Sequence, residues 1–209
     1  CVEALCPGNK KVLGGGGSWR AGDKVLANTH SFVGQGWVIC IAEPGVHEIT
    51  VQAHCANTTL QIKDETKTSA SDANQGGCTS VECPSGFEPI SGGFVTSVPY
   101  ATDTNRTHGN GWNVCGVASD TGTRNARVLC IDEDARVITR EKQSLHQGLG
   151  GGGRECLIAT CPAGKTVLSG GGEFNDVSFD RNAPVSGQEA WEVCGTSEAS
   201  TAWTAHAVC

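Results

Sequence analysis

Twelve cysteines are the residues of this chain best placed to do chemistry. They fall at 1, 6, 40 and 55, then 78, 83, 115 and 130, then 156, 161, 194 and 209. Each set reads C-x4-C, a gap of 31 to 33 residues, then C-x14-C. Two chemistries are open to such thiols. Zinc sites use two close pairs of ligands, and here each set holds one close pair with two distant cysteines. An even count at this density instead matches disulfides in an oxidising compartment. The reading is therefore six disulfides and no metal.

Other reactive residues form no recognisable constellation. His30, His47, His54, His108, His146 and His206 make no H-x3-H or H-E-x2-H pattern. No G-x-S-x-G is present, so no catalytic residue is assigned and the chain is expected not to be an enzyme. Gly148 to Gly153 matches G-x-G-x-x-G, but a cysteine-bearing strand follows where a nucleotide site needs a helix, so it reads as linker. Asp132-Glu133-Asp134 offers oxygen ligands of the kind calcium takes, and a solvated loop is the preferred reading. Asn57 and Asn105 open glycosylation sequons. No cofactor is implied.

The elements that would position these residues are three copies of one unit. Proline follows the second cysteine in each set, at Pro7, Pro84 and Pro162. Leu13, Ile90 and Leu168 come next in register, then Gly15-Gly16, Gly92-Gly93 and Gly170-Gly171. Trp37, Trp112 and Trp191 each stand three residues before the third cysteine. Internal triplication is the strongest signal in the sequence. The modules span 1–55, 78–130 and 156–209, with linkers 56–77 and 131–155.

Helix signals are nearly absent. Trp37 to Cys40 and Glu48 to Cys55 alternate as strands do, and Pro44-Gly45 between them predicts a hairpin. Asp120 to Thr123 gives the second copy a matching turn, and Trp203 to Cys209 is the returning strand of the third. The glycine pairs permit close approach of another strand, and a tryptophan packed over them suits a thin sheet. An exposed tryptophan would instead be a platform for a sugar ring. In the linkers, Leu60 to Lys63 and Ala135 to Thr139 read as short strands, and the glycine-rich remainder as flexible connection. If each short strand completes the sheet of an adjacent module, one of three modules keeps an open edge.

Net charge is −7, which argues against nucleic acid or an anionic membrane as partner. The third copy is the acidic one, with two basic and six acidic side chains over 156–209. No run of 18 apolar residues occurs, so no membrane-spanning helix is expected. The start at Cys1 fits a mature secreted form. Cys1 occupies the slot of the internal Cys78 and Cys156, which favours a disulfide over lipid attachment.

Cys1 and Cys6 lie about 16 Å apart on an extended segment, beyond the ~6 Å that a disulfide spans. Cys40 and Cys55 are offset around the expected turn. Each of the first two therefore pairs with one of the last two. The preferred arrangement is Cys1–Cys40 with Cys6–Cys55, and likewise Cys78–Cys115, Cys83–Cys130, Cys156–Cys194 and Cys161–Cys209. Each bridge closes a loop worth at most ~4 kcal/mol in the chain-entropy model, enough to decide the stability of a unit this small.

Cys161-Pro162-Ala163-Gly164, Val167 to Gly172, Trp191-Glu192-Val193-Cys194 and Ala207-Val208-Cys209 together resemble repeats of secreted bacterial proteins. That resemblance covers the modules and not the linkers. It implies pairing of the second and fourth cysteines and no particular activity. Threefold repetition of a short antiparallel unit more loosely resembles β-prism proteins, including jacalin-like lectins, although none of their sugar-binding motifs occurs here.

The expectation is thus an all-β protein of three disulfide-stapled antiparallel modules, with a threefold prism as one arrangement. It is secreted or held at the cell surface, and it self-associates as a structural subunit of a fibre, coat or matrix. The alternative is a lectin-like module that binds a glycan near the three tryptophans. Non-reducing peptide mapping should find no free thiol and every bridge within one module. A bridge such as Cys55–Cys78 would break the modular reading.

Overall fold

The computed structural model describes residues 1–20, 23–30, 35–42, 45, 47–135, 137, 139–146, 153–174, 179–197 and 201–209. The first repeat forms β1 (Val2–Leu5), β2 (Lys11–Ser18), β3 (Val25–His30), β4 (Gly36–Ile41) and β5 (Thr50–Ala56). The second is led by β6 (Ile62–Ser71) and holds β7 (Gly76–Glu82), β8 (Phe87–His108), β9 (Gly111–Ala118) and β10 (Gly122–Asp132). The third is led by β11 (Thr139–His146). It holds β12 (Gly153–Thr160), β13 (Ser169–Phe174), β14 (Phe179–Pro184), β15 (Ala190–Ser197) and β16 (Thr201–Val208). The protein is all-β, and every strand pairing is antiparallel.

The expected hairpins do not form. β4 pairs with β1 and β3, while β5 pairs with β2 in a different sheet. β9 and β10 likewise each pair with β8 and not with each other, and β15 and β16 lie in separate sheets. Pro44 lies outside the described residues, and the strands on either side of each turn signal pair with other strands and not with each other. The cause is the tryptophan, which lies opposite the glycine strand it covers. A Cβ added at Gly15 would lie 2.5 Å from Trp37 Cγ, one at Gly92 2.3 Å from Trp112 Cγ, and one at Gly170 2.2 Å from Trp191 Cγ. No side chain fits there. The strand that carries the tryptophan therefore faces the glycine strand, and the closing strand pairs with it edge to edge.

The repeats exchange strands in a closed cycle. Asn28 of β3 is opposite Phe94 of β8, Asn105 of β8 is opposite Gly172 of β13, and Asn182 of β14 is opposite Gly17 of β2. Each of these asparagines is buried and accepts a hydrogen bond from a tryptophan of its own repeat. Trp37 Nε1 donates to Asn28 at 2.8 Å, Trp112 to Asn105 at 2.7 Å and Trp191 to Asn182 at 2.6 Å. Their backbone carbonyls press on the second glycine of the next repeat, where an added Cβ would lie about 2 Å from the oxygen of Asn28 (Gly93), Asn105 (Gly171) or Asn182 (Gly16). One continuous hydrophobic core runs through all three repeats.

The disulfides close the units. Cys78 is opposite Cys115, and Cys156 opposite Cys194, in the β7–β9 and β12–β15 ladders, with Cα atoms 4.1 Å apart. Cys1–Cys40 is the matching bridge at β1 and β4, with Cα atoms 4.0 Å apart. Cys6–Cys55, Cys83–Cys130 and Cys161–Cys209 instead tie the end of each first strand to the closing strand. All twelve cysteines are engaged, and every bridge lies within one repeat.

The linkers are not loose. β6 runs along β10 from Ile62 opposite Ile131 to Ser71 opposite Gly122, well beyond the expected Leu60 to Lys63. β11 runs along β16 from Thr139 opposite Val208 to His146 opposite Thr201. The second linker strand thus begins where Ala135 to Thr139 was expected to end, because Glu133–Ala135 is taken up by a 3-10 turn. Arg136, Ile138 and the glycines at 148–152 lie outside the described residues.

Trp112→Ala should destabilise by about 3–5 kcal/mol, and Trp112→Phe by less. Asn105→Ala, which orphans the indole N–H, should cost about 1–3 kcal/mol. Denaturant unfolding of the oxidised proteins measures all three, and near-wild-type midpoints would show that the tryptophan–asparagine pair does not hold the repeats together.

Candidate functional site

Three strands close the three repeats, and they are not covered alike. β10 has β6 on one side and β8 on the other, and β16 has β11 and β13. β5 has β2 on one side and no described strand on the other. Beside β5 opens a cavity of about 760 Å³, lined by the strand itself, by Leu13, by Thr166 to Leu168 and by the turn from Pro184 to Glu189. Its floor is built from two repeats. His54 Nδ1 lies 3.0 Å from the Leu168 carbonyl oxygen, and Glu189 accepts a 2.6 Å hydrogen bond from Val167 N–H. The Gln52 side-chain oxygen is buried with no hydrogen-bond partner among the described residues.

The other repeats show what lies near the equivalent cavity wall. Lys11, Glu88 and Thr166 each stand five residues after the second cysteine of their repeat. Lys11 Nζ donates to the Leu60 carbonyl at 3.2 Å, and the Glu88 carboxylate accepts from Val137 N–H at 3.0 Å. Leu60 and Val137 both pack against the core. The linker leaving one repeat therefore crosses this position before its strand joins the next repeat. At Thr166 no described segment crosses, and the cavity lies there.

A second recess, of about 600 Å³, is lined by Ser18 to Arg20, Glu48, Thr50, Arg154, Asp180 and Arg181. Two of its arginines are held by carboxylates. Arg154 grips the buried Asp180 through two hydrogen bonds of 2.8 and 2.9 Å, which raises the pKa of the guanidinium, and Arg181 is paired with Glu192. Buried Arg124 is likewise held in place, donating to Thr79 Oγ1 at 2.7 Å and to Tyr100 Oη at 2.8 Å. Burial pushes the Tyr100 hydroxyl up to about 12.

The residues singled out from sequence are dispersed. Trp37, Trp112 and Trp191 are at most 1% exposed, so none offers a face to a sugar ring. Asn57 is exposed, whereas Asn105 is buried under Trp112 and cannot carry a glycan in the folded protein. This corrects the sequon reading, which sees N-x-T but not the indole above it. The carboxylates of Asp132, Glu133 and Asp134 do not converge on a cation site. Among the described residues one group could be drawn around a metal, Cys156, Glu192 and Cys194, but its two sulfurs are bonded to each other. His47 pairs with Asp23 at 2.8 Å, His108 is exposed, and the side chains of His30 and His146 lie outside the described residues. The signal missed in the sequence is the equal spacing of Asn28, Asn105 and Asn182.

No family model matches the chain, and no curated protein matches it in sequence.

His206 is buried, and burial, followed by the nearby Arg106 charge, pushes its pKa down to about 4. Burial also lowers the pKa of His54, against the opposing pull of the Leu168 carbonyl. A histidine depressed in the folded state contributes its full stability above its unfolded pKa of about 6.5 and loses it as pH falls toward the folded value. Between pH 6.5 and 4 the His206 contribution amounts to about 3 kcal/mol. Unfolding midpoints should therefore fall across that window and fall less in His206→Gln. Equal acid sensitivity in the two proteins would remove His206 as the cause.

Proposed function

We propose that this chain is a non-catalytic structural subunit of an extracellular assembly, a fibre, coat or matrix, joined to its neighbours by strand addition. The observation that carries this reading is the unequal covering of β5, β10 and β16. An uncovered edge presents a row of backbone donors and acceptors, which is a template for another chain. The six disulfides fit an oxidising, extracellular environment and would hold the fold outside the cell. No helix among the described residues is long and apolar enough to cross a membrane. The glycan-binding reading draws no support from the three tryptophans, whose rings are covered.

Immunogold electron microscopy of native material, with an antibody against this chain, tests the proposal. Label should follow a fibre, coat or matrix. Label spread evenly through the medium and on no fibre, coat or matrix would contradict it.

A further inference from the structure

We infer that the recess between the first and third repeats, at Arg20 and Arg154, binds an acidic saccharide through a carboxylate or sulfate group. This site goes beyond the structural role above and does not depend on it.

The floor of the recess is a row across three paired strands. Thr50 of β5 is opposite Ser18 of β2, Ser18 is opposite Arg181 of β14, and none of the three side chains is buried. Trp19 follows Ser18, and its backbone N–H donates to the Asp180 carbonyl at 2.9 Å. Arg154 joins the lining from the start of β12, and Arg20 and Glu48 join it as exposed side chains.

Donors outnumber acceptors on these walls. A guanidinium offers five N–H donors and no acceptor. Arg154 spends two on Asp180 and directs a third at Cys156 Sγ, 3.4 Å away, so two are left over. Asp180 is itself buried, and its grip fixes the guanidinium in place, as a binding group requires. Arg20 has no side-chain partner among the described residues. Trp19 is 7% exposed, and its indole N–H is buried with no partner among the described residues. An acceptor brought into the recess is what that donor lacks. The lining holds two carboxylates, Glu48 and Asp180, and Asp180 is already taken. The complementary ligand is therefore rich in acceptors and negatively charged, and the planar fork of arginine suits an oxyanion.

The remaining lining points to a sugar as the carrier of that anion. Ser18 and Thr50 can donate to ring hydroxyls, and Glu48 can accept from them. Trp19 is the one large apolar residue of the lining, and it is buried, so an apolar peptide side chain finds no pocket here. A volume of about 600 Å³ is that of a small-ligand site.

Repetition separates these residues from the scaffold. The cysteines, paired glycines, tryptophans and asparagines that build the fold recur in every repeat. The arginines of the recess do not. In the matching slots, Arg20 is replaced by Ser97 and Asn175, Arg181 by Thr104 and Ala27, and Arg154 by Gly76 in the second repeat. No requirement common to the three repeats accounts for them. They also gather against a net charge of −7.

The test titrates the full oxidised, isotopically labelled chain with a trimer of galacturonic acid, its neutral methyl ester and galactose 6-sulfate, read by amide and indole N–H chemical shifts. An acidic sugar should shift the Trp19 indole and the Arg20 and Arg154 amides saturably, with Kd of about 1 mM or below. The methyl ester should bind about tenfold more weakly. Arg20→Ala, at an exposed position, should weaken binding about threefold or more, while Lys67→Ala, an equal charge change on exposed β6, should not. Binding of the uronate alone would assign a carboxylate and binding of the 6-sulfate alone a sulfate ester, and either supports the inference. No saturable shift at about 10 mM of either sugar would overturn it. So would equal binding of the methyl ester, equal weakening by the two variants, or equal shifts with acetate, inorganic sulfate or a glutamate tetrapeptide, each of which would remove the acidic sugar as the ligand.

Discussion

A tryptophan ring pressed against a glycine is the contact on which the rest of this structure depends. At Gly15, Gly92 and Gly170 the ring occupies the space of a side chain, which brings two ladders closer than any other residue would allow. Close approach places the indole N–H against a buried asparagine, and the carbonyl of that asparagine against the second glycine of the next repeat. Each repeat is thereby completed by the one beside it. With aromatic content of 5%, three such contacts supply much of the large apolar surface that the core contains. The disulfides act at the corners and leave the centre to the tryptophans.

How much of this is legible in the sequence differs by kind of contact. The cysteine spacings define the repeat, and with strand geometry they limit each bridge to one of two partners. The fixed slot of Trp37, Trp112 and Trp191 beside paired glycines indicates packing, and the rings are buried. Strand partners are less legible. Pro44-Gly45 predicts a reversal, but a turn signal is local and does not say which ladder receives the returning strand. Asn28, Asn105 and Asn182 escape notice for a related reason. A polar residue in an alternating strand reads as solvent-facing until the donor above it is known, and at Asn105 the sequon reinforces that mistake.

The linkers carry the asymmetry of the molecule. A chain of three repeats has two connections between them, and each connection spends its strand on the repeat that follows. β10 and β16 are covered in this way, and β5 is not. Which closing strand each linker covers is a matter of register. Only the pairing of β6 with β10 and β11 with β16 shows that each linker serves the repeat after it. The uncovered strand thus belongs to the first repeat, beside a cavity walled by the third.

The central claim is that the repeats complete one another in a closed cycle, 1 to 2, 2 to 3 and 3 to 1. Backbone nuclear Overhauser effects in the oxidised, isotopically labelled chain measure this most directly. Cross-strand contacts between Asn28 and Phe94, Asn105 and Gly172, and Asn182 and Gly17 should all appear. A spectrum with contacts inside each repeat and none of these three would describe beads on a string and contradict the account.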